Sequence, residues 1–148
     1  MEKTNKVLVL TDLKTSKEIV LKSALELAKK INAEIHVFCA KKAIDVVKGE
    51  SQLSAIRNIN NAGNTLKKEM QEFTQHYSKN HNIAIKNSYA FGNVKNEIDS
   101  CISRLQPDAI VLGEKKAKRL NLFGDNVTKL VQKKYKGDIL IVKNNLNT

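Results

Sequence analysis

The stretch Lys6-Val-Leu-Val-Leu-Thr11 sets four large apolar side chains in succession with no polar residue between them. A half-exposed strand alternates apolar and polar residues. A short uninterrupted run therefore reads as a strand covered on both faces, as in the centre of a parallel sheet. Covering both faces requires helices on both sides, so the remainder of the chain must supply strands and helices in alternation.

It does so in order. Ile19, Leu21, Ala24, Leu25, Ala28 and Ile31 recur with helical spacing after Thr15-Ser-Lys-Glu18, whose spacing is that of a capping box. These predict a first helix from about Ser16 to Ile31. A short Asn32-Ala33 connection leads into a second strand, Glu34 to Ala40, within the usual length of such loops. Ala43 to Gly49 fits neither period. From Leu53 to Tyr77, apolar residues at 53, 56, 59, 66, 70, 73 and 77 predict one long second helix, with an irregularity expected at Asn60 to Asn64. Ile83 to Phe91 alternates in part and reads as a third strand with a wetter face, at the sheet edge. Gly92-Asn93 ends it. Val94, Ile98, Cys101, Ile102 and Leu105 then mark a third helix, which Gln106-Pro107 stops because the residue before proline avoids the helical region. Asp108 to Gly113 is a fourth strand. Val127, Leu130 and Val131 mark a last helix ending near Lys136-Gly137, with glycine as its C-cap. Asp138 to Lys143 is a fifth strand. Five strands alternating with four helices predict an α/β fold: an open, doubly wound, Rossmann-like parallel sheet with right-handed crossovers, three layers deep. At 148 residues the expectation is a single domain over the whole chain.

Several function classes are disfavoured by composition. Lys and Arg number 26 against 15 acidic residues, a net charge of +11 that attracts polyanions in general. Specific nucleic-acid binding is not expected, since aromatics make up 5% of the chain, Trp is absent, and no aromatic is interleaved with basic residues as a stacking platform. No apolar run approaches the roughly 20 residues of a membrane helix, and Met1 to Lys6 carries no apolar signal region. A cytoplasmic protein without membrane contact is expected. Cys39 and Cys101 sit among apolar neighbours, away from any Cys or His at zinc-ligand spacing, and read as buried small hydrophobes. His36 lies within a strand, and His76 and His81 near a helix end. With no Ser/His/Asp set, paired carboxylates or metal spacing, no enzyme and no metal site are expected.

Taken in sequence, Val7-Leu-Val-Leu-Thr-Asp12, Ala24-Leu-Glu-Leu-Ala-Lys29, Ala33-Glu-Ile-His-Val37, Gly92, Asp108-Ala-Ile-Val-Leu-Gly113 and Asp138-Ile-Leu-Ile-Val142 resemble the successive signatures of the universal stress protein family. The resemblance covers nearly all of the chain. It implies strand order 3-2-1-4-5, with a crevice at the switch point between the first and fourth strands, where open sheets of this kind bind ligands. Thr11, Asp12 and Gly113 would line it, with Val37 nearby. In ATP-binding members the Asp and the backbone of the second strand hold the nucleoside, and a glycine loop after the fourth strand cradles the phosphates.

That loop departs from the family's nucleotide motif of Gly, two residues, Gly, nine residues, then Gly followed by Ser or Thr. Gly113 is present, but the second glycine position holds Lys116. Gly124 follows Gly113 by 11 residues where the motif has 13, and Asp125 follows it in place of a hydroxyl. Aligned backward from the last strand, Asp125-Asn126 occupy the final pair. The resemblance is thus to the branch lacking the motif, which is not known for nucleotide binding. It implies a noncatalytic, dimeric stress-response protein that meets other macromolecules and needs no cofactor. The alternative is an ATP- or AMP-binding regulator, with magnesium, that holds phosphate through Lys115, Lys116, Lys118 and Arg119. Asp12 reads either as a ligand contact or as a turn brace. The resemblance also implies pairing of two chains along the last strand, through Ile139, Leu140, Ile141 and Val142, which would close an open edge.

Overall fold

The computed structural model describes residues 4–14, 16–42, 52–113 and 124–143, without the side chains of 52–56, 58 and 124–126. Its elements are β1 (Asn5–Leu10), α1 (Lys17–Ile31), β2 (Ala33–Lys41), α2 (Gln52–His81), β3 (Ile85–Phe91), α3 (Val94–Leu105), β4 (Ala109–Gly113), α4 (Gly124–Lys134) and β5 (Asp138–Val142). All five strands are parallel, in the order β3-β2-β1-β4-β5. The uninterrupted run in β1 thus lies at the centre, as expected of a strand covered twice. Asp108 clips β4 to it: the Lys6 N–H donates to the Asp108 carboxylate and the Asp108 N–H to the Lys6 carbonyl, each at 2.8 Å.

Because side chains alternate along a strand, the sheet feeds two separate cores. Val7, Val9, Ile35, Val37 and Val111 face α1 and α2, meeting Leu21, Leu25, Leu66 and Met70. Leu8, Leu10, Phe38, Ile110 and Leu112 face α3 and α4, meeting Ile98, Cys101, Ile102 and Val131. Both thiols are buried, and burial pushes Cys39 up to about 11 and raises Cys101 as well. They act as core hydrophobes.

Local details depart from the sequence reading in four places. Thr15, the cap of the expected box, lies outside the described residues. The helix starts at Lys17 with Ser16 as its N-cap, in the left-handed region (φ 58°) and without a side-chain capping bond. Secondly, α2 runs unbroken through Asn60–Asn64 and on to His81. Its polar asparagines face outward, so they do not interrupt the backbone ladder. Thirdly, β3 begins at Ile85 rather than Ile83. Finally, α4 ends at Lys134, and Gly137 is not a left-handed C-cap, since Gly92 carries the positive glycine φ among the described residues. The other helix ends follow the chemistry of their residues. Asn32 (φ 53°) and Gln106 (φ 50°) close α1 and α3 in the left-handed conformation, each donating its N–H back into the last turn. For Gln106 this agrees with the exclusion of a pre-proline residue from the right-handed helix.

Candidate functional site

Parallel strands bring all their carboxyl ends to one edge of the sheet. There β1, β2 and β4 end beneath the first turns of α3 and α4, leaving a crevice of about 270 Å³. Its floor is Leu10, Phe38 and Leu112, and Ile98 and Val94 of α3 and Val127 and Thr128 of α4 form its walls. Two short-range turns hold the β1–α1 corner at its mouth. The Leu13 N–H donates to Thr11 Oγ1 (2.9 Å), and the Lys14 N–H donates to Asp12 Oδ1 (2.8 Å). Leu13 takes a left-handed conformation (φ 63°), unusual for a γ-branched residue, while its side chain is buried in the α1/α2 core.

Of the residues expected to form the site, the structure brings Thr11, Asp12 and Gly113 together in the crevice. Asp12 braces the turn through the bond just described. Val37 does not join them. It is 1% exposed on the opposite face of the sheet, because the odd positions of β2 point toward α1 and α2 while Phe38 and Ala40 point toward the crevice. Lys116 lies outside the described residues, as do Lys115, Lys118 and Arg119. Gly124 and Asn126 are the first and third residues of α4, just before the wall residues Val127 and Thr128.

Gly113 has a packing role independent of any ligand. A Cβ at this position would come within 3.1 Å of Val20 Cγ2 on α1, tighter than ordinary contact. The missing side chain therefore lets β4 end close against the start of α1.

The sequence reading missed Lys14, Lys41 and Lys42, which line the crevice together with Asp12. Their signal was available. Lys41 and Lys42 directly follow the last apolar residue of a parallel strand, which places them at the carboxyl edge where such folds bind. The histidines lie elsewhere. His36 is hydrogen-bonded to Glu34 at the opposite end of the sheet, and His81 contacts Lys29 (2.9 Å) and stacks on Tyr77. Among the described residues, no group of three or more His, Cys, Asp or Glu could hold a metal ion, and no helix is long and apolar enough to cross a membrane.

At the other end of the strand order, β5 is the sheet's edge, as the sequence reading placed it. Ile139 and Ile141 pack toward α3 and α4, and Val142 is buried at 9% exposure. Leu140 alternates with the two isoleucines onto the α1 side of the sheet and is 40% exposed.

The family model "Universal stress protein family" matches residues 3–143. The chain belongs to that family. No curated protein sequence matches it. Among solved structures, it is similar to hypothetical protein MJ0577 (20% identity, TM-score 0.78, covering 97% of this chain and 98% of that one). It is similar also to the universal stress protein UspA from Lactobacillus plantarum (14%, 0.73, covering 96% and 99%). A third is a universal stress protein in complex with cAMP (18%, 0.67, covering 96% and 98%). At these identities the likeness is one of fold. As a universal stress protein, the chain has the family's fold, a five-stranded parallel sheet in the order 3-2-1-4-5.

Proposed function

We propose that this universal stress protein is a noncatalytic homodimer that acts through other macromolecules and does not bind ATP tightly. The observation that carries the reading is the β5 edge. An open strand edge bearing an exposed leucine is a standing invitation to another strand, and a second copy of β5 satisfies its backbone groups while covering Leu140. The loop chemistry favours the absence of tight ATP binding, since Lys116 and Asp125 stand where the family's nucleotide motif has a glycine and a hydroxyl. An acidic residue in the first turn of α4 also opposes a phosphate at that helix start. Ile141→Pro removes a backbone donor from the edge and is expected to sediment as a monomer. A variant that still sediments as a dimer overturns the interface.

A second reading, a nucleotide-binding regulator, is favoured by the crevice at the switch point and by the neighbour whose structure holds cAMP. Thermal unfolding with ATP and magnesium separates the two. A ligand at 100 times its dissociation constant stabilises by about 2.7 kcal/mol, whereas no shift at millimolar ATP is expected here.

A further inference from the structure

Among the described residues, the large apolar side chains left exposed are Tyr89 (36%) and Leu140 (40%). They stand on the two edge strands of the sheet, Tyr89 on β3 and Leu140 on β5. The β5 edge carries the dimer reading. The β3 edge poses the same physical problem and lacks the devices that usually blunt an edge strand. Its residues from Ile85 to Phe91 pair with β2 in unbroken register, without a bulge, and include no proline and a single charge, Lys86. That lysine is drawn inward, its Nζ 3.6 Å from the Glu34 carboxylate of β2.

Tyr89 is exposed but held. A Cβ at Gly63 in α2 would come within 2.7 Å of the Tyr89 hydroxyl and 3.3 Å of its ring, so the ring lies on bare helix backbone. Phe91 meets it edge-on, with centroids 5.7 Å apart. Glycine inside a helix costs about 1 kcal/mol relative to alanine, and here it keeps room for the ring. A side chain fixed in advance has little rotamer freedom left to lose on association.

The backbone of β3 says which partner fits. Toward β2, the Ala84 carbonyl accepts the Ile35 N–H, and the Gly92 N–H donates to the Lys41 carbonyl. Even positions therefore bond inward, and the N–H and C=O groups of Ile85, Asn87, Tyr89 and Phe91 point to the open edge. A second β3 laid antiparallel about Ser88, the middle of the strand, overlaps it fully and sets these groups opposite one another. Ile85 then pairs with the partner's Phe91 and Asn87 with the partner's Tyr89. Lys86 faces the partner's Ala90, so like charges are not opposed. A slip of one residue would set outward groups against inward ones.

We propose that β3 is a second self-pairing interface, through which two copies of this chain join antiparallel about Ser88 and cover Tyr89. This goes beyond the dimer reading. With two self-pairing edges, dimers joined at β5 extend end to end into one continuous sheet. Lys86, Asn87 and Ser88 make β3 less apolar than the Ile139–Val142 run of β5, so the β3 contact is the weaker and fills at higher concentration.

The test is sedimentation of the full chain from low micromolar to near-millimolar concentration. The wild type is expected to be a dimer when dilute and at least to double in mass as concentration rises. Ser88→Lys and Ser88→Glu change an exposed position, and each sets like charges face to face across the two-fold axis. Each alone is expected to stay dimeric throughout. Mixed in equal amounts, they set Lys against Glu and are expected to recover the growth. Tyr89→Ser, which leaves the ladder to β2 intact, is expected to move the growth to at least tenfold higher concentration. A wild type that stays dimeric, which would leave the edge to a strand of another protein, overturns the β3 pairing. Growth that survives in both Ser88 variants, or a mixture that does not recover it, overturns it equally. Failure of the β5 reading has a different signature. The wild type would then stop at a dimer that Ser88→Lys abolishes and Ile141→Pro leaves intact, and the β3 pairing would stand.

Discussion

The layer of α1 and α2 closes over its face of the sheet, whereas the layer of α3 and α4 leaves the carboxyl ends of β1, β2 and β4 open. In the first layer Val7, Ile35 and Met70 are fully buried, and even the conserving of space is strict where Gly113 meets Val20. In the second layer, buried Leu10, Phe38, Leu112 and Ile98 border a crevice. The strand period of two makes the separation possible, because neighbouring residues of one strand serve different layers. Val37 packs into the closed layer and Phe38 lines the crevice, although one peptide bond joins them.

Truncation tests this division most strongly. Met70→Ala removes a fully buried side chain from the closed layer and is expected to cost about 2–5 kcal/mol in chemical denaturation. Ile98→Ala acts at the crevice wall, where the new space joins existing space, and is expected at or below the low end of that range, about 2 kcal/mol. Equal losses at the two sites would erase the distinction.

A polar network in the closed layer gives a smaller effect. Thr74, 3% exposed, donates its hydroxyl to the Met70 carbonyl and accepts the Asn87 amide, each at 2.9 Å. The Asn87 Oδ1 is buried and has no hydrogen-bond partner among the described residues. Thr74→Val leaves the rest of that amide unsatisfied and is expected to cost roughly 1–3 kcal/mol. Adding Asn87→Val removes the stranded group, and the double variant is expected to recover most of the loss. If it is instead less stable than Thr74→Val, the network contributes more than its parts.

The smallest effect belongs to the polar end of the open layer's face, where Glu34 meets His36 and lies 3.6 Å from Lys86 Nζ. The hydrogen bond with His36, aided by attraction to His36 and Lys86, holds the Glu34 carboxyl below its ordinary value despite partial burial. A group depressed in the folded state stabilises above its unfolded value, near 4.5, and loses that contribution as pH falls through the folded value. Glu34→Gln is expected to flatten the decline of stability below pH 4.5 and leave the neutral region nearly unchanged. An identical acid limb in the variant would show the pair to be energetically idle.

Much of the fold was legible because periodicity is a direct imprint of burial. The run in β1 announced a strand with two covered faces, and the apolar spacing in α1, α3 and α4 marked helices within a few residues of their observed bounds. Where the reading slipped, another force decided. Outward-facing asparagines let α2 pass through Asn60–Asn64, and Ser16 starts α1 from a left-handed turn where a capping box was expected. The site was half legible. Thr11, Asp12 and Gly113 were implied by the family resemblance, but only the pairing register shows that the even positions of β2 face the crevice, and only the folded arrangement brings Lys14 and Lys41 to the same crevice.

The contact that Gly113 avoids with Val20 has a consequence for how degenerate motifs are interpreted. Two demands can meet at one such position: close approach of a helix to a strand, which is seen here, and room for a phosphate where a protein binds one. When the second demand lapses, the first still holds the residue in place. A surviving motif glycine can therefore be a relic kept by architecture, and the informative letters are those that serve the ligand alone.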